Sequence, residues 1–192
     1  MWFSKYLVFS SLLFIGVMPG LAVSDPDVLE RYRYYDVEGI TPKILRQSMN
    51  EKRLKHVRGG YDAYVYWSLK WRFRYDDDLR GCKITAASTV LGVKYTLPRW
   101  ADVEVASLEV RTLWGQYYTA LIEHEHGHRD WGVRAAIDIE QSLLAMPYDR
   151  DCLSLRRDAH SLASGVLSRY LRLEKGYDRE TEHGATQGAV FP

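Results

Sequence analysis

From Ala63 to Tyr75 the chain alternates in polarity without a break. Ala63, Val65, Trp67, Leu69, Trp71, Phe73 and Tyr75 fall on one side, and Tyr64, Tyr66, Ser68, Lys70, Arg72 and Arg74 on the other. Successive side chains of an extended chain point to opposite faces, so this pattern demands a strand with one buried and one solvated face. Such a strand must be paired and covered. Asp76 to Gly81 reads as a turn, and Cys82 to Leu97, closed by Pro98, as the returning arm of an antiparallel hairpin. Tyr32 to Val37, aromatic and β-branched, reads as a shorter strand.

The covering layer is helical. Thr41-Pro42 has the form of an N-cap followed by proline at the first helical position, with Ile44, Leu45 and Met49 on one face and Gly59-Gly60 as the stop. Helix dominates from about Asp102. One run extends to Pro147, with Gly132 as a candidate break. A last helix spans roughly Cys152 to Leu173, with Leu155, Leu162, Val166 and Leu167 as its apolar stripe. The tail from Tyr177 to Pro192 is polar, glycine-containing and irregular. Strands first and helices later predict an α+β fold, an antiparallel sheet packed against helices.

The long helical run contains His-Glu-His-Gly-His at positions 124–128, and within it H-E-x-x-H: His124, Glu125 and His128. Histidines four residues apart lie one turn apart on one helix face, so both can reach one zinc ion. The glutamate between them is placed to act on a water rather than on the metal. Leu113, Trp114, Tyr117, Leu121 and Ile122 before the motif, and Ala135, Ala136, Ile139 and Leu143 after it, recur at helical spacing. The motif therefore falls inside an amphipathic helix, where it has to be to work, rather than on a fully solvated one. The arrangement fits hydrolysis of an amide bond, with Glu125 expected as general acid and base.

Other features bound the setting. Lys5, the apolar stretch Tyr6–Val17 and the small residues after it have the form of an export signal. Cleavage near Gly20-Leu21-Ala22 leaves 1–22 as signal and 23–192 as one domain, periplasmic or secreted, with no stable membrane insertion once the signal is gone. Cys82 and Cys152 are even in number and would meet an oxidising compartment, so a disulfide is expected. A net charge of +1, with both signs interspersed, leaves no nucleic-acid footprint and no basic run for a polybasic membrane patch. A peptide or protein substrate is the partner expected.

Further strings carry a resemblance. Tyr34-Tyr35-Asp36-Val37-Glu38-Gly39, Gly60-Tyr61-Asp62-Ala63-Tyr64, Thr96-Leu97-Pro98-Arg99-Trp100, the 124–128 motif, Tyr177-Asp178 and Thr181-Glu182-His183-Gly184 run through nearly the whole mature chain. With these the chain resembles bacterial secreted proteins described as zinc-dependent proteases and defined by a domain of unknown function. The resemblance implies a peptidase with a zincin-like active-site helix and leaves the substrate open.

A catalytic zinc usually takes three protein ligands and a water. The metzincin extension would need glycine and histidine where this chain has Trp131 and Arg134. Glu140 lies about 18 Å farther along a continuous helix than His128 and reaches only across a break. His126 points about 200° away from the motif pair and cannot share their ion. His56, in a basic loop, reads as solvated, and His160 as a histidine on the face of the last helix. His183, in a glycine-flanked segment within the family-like tail string, is the expected third ligand, with Glu140 and Asp178 as alternatives. Tyr177 is a candidate hydroxyl for the developing oxyanion. Two other functions fit the same residues: a zinc amidase acting on cell-wall peptides, and a binding protein with a closed structural zinc site.

Overall fold

The computed structural model describes residues 26–53 and 60–192. The export signal and His56 lie outside the described residues. The architecture is α+β, a three-stranded sheet packed against helices, as the pattern of strands and helices implies.

The hairpin forms as expected. Strand β2, Tyr64–Asp78, pairs antiparallel with β3, Gly81–Trp100, through a turn at Leu79-Arg80, with a register irregularity at Arg74/Tyr75. The alternation of β2 becomes alternating burial: Val65, Trp67 and Leu69 are inside, and Tyr64, Tyr66, Ser68 and Lys70 are outside. Pro98 does not close β3. Past the Tyr64–Thr96 pair the strand has a neighbour on one side only, and a proline without an N–H is tolerated there.

β1, Asp27–Val37, is longer than its aromatic segment and pairs with β3 in parallel, so the sheet is mixed, in the order β1-β3-β2. Residue alternation alone carries no strand direction. The connection through helix α1, Pro42–Lys52, delivers the chain to the far side of β3. Thr41 caps α1 by accepting from the Ile44 N–H; Leu45 and Met49 are buried, and Ile44 is half-exposed rather than on the core face.

Helix α2, Leu108–Ala145, starts at the Ser107 cap and runs unbroken to the stop before Pro147. Gly132 is not a break. A Cβ there would lie 2.9 Å from Leu91 Cδ1 and 3.1 Å from Trp67 Cδ2, so glycine lets the helix sit close to the sheet. The core forms between this helix and the inner sheet face, with Tyr117, Leu121, Ala136, Ile139 and Leu143 meeting Leu91, Val93, Tyr95 and Leu97.

Helix α3, Cys152–Glu180, is capped by the Asp151 carboxylate, which accepts from the N–H groups of Leu153 and Ser154. Its buried stripe is Leu155, Ala159 and Ala163; Leu162 faces solvent, and Val166 and Leu167 are partly buried. Small residues here let α3 lie close to its neighbours. It also runs past Leu173, so Tyr177 and Asp178 are helical rather than part of an irregular tail. Gly176 costs helix stability, and tertiary hydrogen bonds on either side of it hold these last turns. Cys82 and Cys152 form the expected disulfide, beside a backbone bridge in which Cys82 and Asp149 exchange N–H···O bonds of 2.7 and 2.9 Å.

The C-terminus is pinned. Phe191 is buried against Trp114 and Tyr117, and its carbonyl accepts from Arg46 at 3.0 Å. Arg46 also pairs with Asp62 at 2.8 Å, and the Asp62 carboxylate accepts from the Tyr117 hydroxyl at 3.0 Å. That network fixes the entry into β2 against α2.

Candidate metal centre

Two helices each offer a pair of residues four apart, and the pairs face each other. His124 and His128 come from the middle of α2, Glu174 and Asp178 from the last turns of α3. The two Nε2 atoms are 3.2 Å apart. Asp178 Oδ1 lies 3.4 Å from His124 Nε2 and 3.1 Å from His128 Nε2. One ligand atom from each of the three residues therefore falls within 4.8 Å of the other two.

The partners of the outer nitrogens fix where the inner ones point. His128 Nδ1 lies 3.2 Å from Glu174 Oε1, and a carboxylate can only accept, so the Nδ1 proton is donated there. Glu174 Oε1 also accepts from Trp67 Nε1 at 2.9 Å, which ties it to β2. His124 Nδ1 lies 2.9 Å from Gln187 Oε1, an acceptor supplied by the C-terminal segment. With Nδ1 engaged on both rings, both Nε2 lone pairs aim at the same point. Histidine ligands to metals are typically held in this way by a second shell of acceptors. Two imidazole nitrogens and a carboxylate oxygen form a donor set suited to zinc.

Burial and hydrogen bonding shift the ionisable groups around that point. Burial works to lower the basicity of His128, but its hydrogen bonds to Asp178 and Glu174 outweigh burial and raise its pKa to about 9. Burial works to raise Asp178, but hydrogen bonds from His124 and His128 hold its carboxyl well below the usual carboxylate range. The cluster thus favours a proton on His128, and a cation bound there would take that proton's place. Burial pushes Glu125 up to about 7 against the opposing pull of the two histidines, with Asp178 adding to the rise.

Glu125, His124, His128 and Asp178 line one pocket of about 440 Å³, bounded on the sheet side by the Gly60–Trp67 segment. The start of β2, an edge strand, is therefore a wall of the pocket.

His183, the expected third ligand, stands outside the three-residue cluster. Its Nδ1 lies 3.3 Å from Asp178 Oδ1, its Nε2 lies 3.4 Å from the Tyr61 hydroxyl, and it is about half exposed at the pocket rim. Glu182 and His183 both take positive φ, which turns the chain out of α3. Asp178, the alternative, supplies the third atom of that cluster. Glu140 is far from the cluster in a second buried pocket of polarity, where it accepts from the Thr89 hydroxyl at 2.6 Å. His126 packs edge-on against Tyr95, and His160, exposed on α3, accepts from Trp71 Nε1 at 3.2 Å.

Tyr177 is not free to act as an oxyanion donor. Its ring stacks on His124, its hydroxyl donates to the His124 carbonyl at 3.2 Å, and it occupies the space where a side chain on Gly127 would begin. The glycine of the motif thus makes room for the tyrosine that backs the first histidine. Glu174 and Gln187 were missed from the sequence. The i, i+4 spacing of Glu174 and Asp178 was a readable signal once α3 is extended past Leu173; nothing in the sequence marked Gln187.

Residues 32–184 match the profile of a family described as a bacterial protein of unknown function (DUF922), and the chain belongs to that family. A search of curated proteins gives no match, and neither does a search of solved structures.

Proposed function

We propose that this family member is a zinc-dependent metallopeptidase whose metal is held by His124, His128 and Asp178. The observation that carries the reading is the convergence of three ligand atoms within 4.8 Å beside the buried carboxylate of Glu125. A two-histidine, one-carboxylate set also suits iron(II); the buried Glu125 between the two histidines is what favours hydrolysis.

Zinc, when bound, supplies a Lewis acid that polarises a carbonyl and acidifies a water. The rest of the chemistry belongs to the chain. Glu125 accepts the proton of the attacking water and returns it to the leaving amine, a shuttle that needs a carboxyl poised near neutrality. Glu174 and Gln187 orient the two imidazoles. The opening of β2 offers unpaired backbone to an extended peptide, and strand addition there would draw the substrate across the pocket. The disulfide fits export to an oxidising compartment.

The test uses purified full-length protein loaded with zinc and a mixture of unstructured peptides, with new termini identified by mass spectrometry. Glu125→Gln keeps the side-chain shape and removes the proton acceptor. The reading expects cleavage by the wild type and loss of it in Glu125→Gln, with zinc content equal in both. Cleavage confined to amide bonds of cell-wall peptides makes the protein an amidase, and four protein ligands on the metal make the site structural.

A further inference from the structure

The outer face of the sheet carries a charge pattern unrelated to the metal centre. Parity along the strands and the pairing register place Arg31 and Arg33 of β1, Lys94 of β3, and Lys70, Arg72 and Arg74 of β2 on this one face. All six are exposed, and among the described residues none of them makes an ion pair or a side-chain hydrogen bond. By the same parity the acids on this face are Asp27, at the outer end of β1, and Asp76 and Asp78, at the far end of β2, where Asp78 is paired with Arg80. A chain with net charge +1 has thus gathered six cations on one side of its sheet.

This arrangement works against the fold. Arg31 and Lys94 are direct register partners, and like charges directly opposite each other destabilise a sheet. Lys70, Arg72 and Arg74 repeat along β2 at about 7 Å, two strand residues apart. An anionic surface laid against the face removes that repulsion. The cations are spread over three strands, roughly 10 Å across and about 35 Å along, so they match a surface rather than a single anion. Among them stand side chains that gain from an apolar phase: Leu29 is 61 % exposed, Tyr66 51 % and Tyr64 38 %. A soluble polyanion without rings or apolar groups, such as polyglutamate, offers these side chains nothing, whereas a membrane interface accommodates both an amphipathic ring and a cationic neighbour.

We propose that this face docks on the surface of an anionic lipid bilayer, peripherally and without insertion. No helix among the described residues is long and apolar enough to cross a membrane. Because Tyr64 and Tyr66 also line the pocket, docking sets the pocket mouth beside the membrane surface. The proposal does not depend on the metal or on hydrolysis.

The experiment is co-sedimentation of the full mature chain with phosphatidylcholine vesicles, with and without phosphatidylglycerol. Anionic vesicles should carry the protein down and neutral ones should not, and added salt should release it. Two triple variants, Lys70→Gln/Arg72→Gln/Arg74→Gln and Arg31→Gln/Arg33→Gln/Lys94→Gln, should each weaken the partition roughly a hundredfold. Both change only exposed side chains; circular dichroism checks that they fold, and the salt dependence of the wild type tests the idea without any variant. Equal binding to neutral and anionic vesicles overturns the proposal. So does unchanged partition of both folded variants, or capture by soluble polyglutamate with no binding to vesicles.

Discussion

The hydroxyl of Tyr177, in the last turns of α3, occupies the space where a side chain on Gly127 of α2 would begin. The contact falls on the turn of α2 between His124 and His128. Gly127→Ala should therefore push α3 outward. An overpacked site of this kind costs about 1–3 kcal/mol. Urea denaturation should show that loss, and zinc affinity should fall with it because Asp178 is the residue after Tyr177. Tyr177→Phe, which keeps the ring and removes a hydroxyl bonded to the His124 carbonyl, should cost less.

Glu174 touches no inner nitrogen, yet it holds the Nδ1 proton of His128. Loss of such an outer partner typically weakens metal binding by about 10–100-fold. Glu174→Ala should do so without abolishing binding, as measured by competition with a chelator. An unchanged affinity would show that the orientation of His128 is fixed by packing alone.

The disulfide joins positions 70 residues apart and clamps the hairpin to the start of α3. On the chain-entropy estimate, a loop of that size stabilises by roughly 4 kcal/mol. Cys82→Ser/Cys152→Ser should lower the urea midpoint accordingly. The Cys82–Asp149 backbone bridge should survive in the folded state, since it does not depend on sulfur.

How much of this was readable in the sequence follows from the physics of each element. The alternation of Ala63–Tyr75 and the apolar spacing around His124 are local periodicities, and both elements stand where those periods put them. The parallel pairing of β1 was not readable, because register and direction are set by partners distant in sequence. The end of α3 was lost for a different reason. Its last turns carry no apolar stripe; they are held by Glu174 and Asp178 reaching α2, so a helix sought by hydrophobic period stops at Leu173. That truncation moved Asp178 into a supposed loop and made His183 the natural third ligand. The basic face was hidden too. Its charges occupy alternate positions on three strands, so no run of cations appears until the register assembles one.

The central claim is that Asp178, rather than His183, completes the metal site. Zinc affinity of Asp178→Ala and His183→Ala, each measured by chelator competition on protein shown to be folded by near-ultraviolet circular dichroism, tests it most directly. Asp178→Ala should lose more than the roughly hundredfold typical of an outer partner, and His183→Ala should stay within about tenfold of the wild type. The reverse order, with Asp178→Ala binding zinc as tightly as the wild type and His183→Ala failing to hold it, would contradict the account.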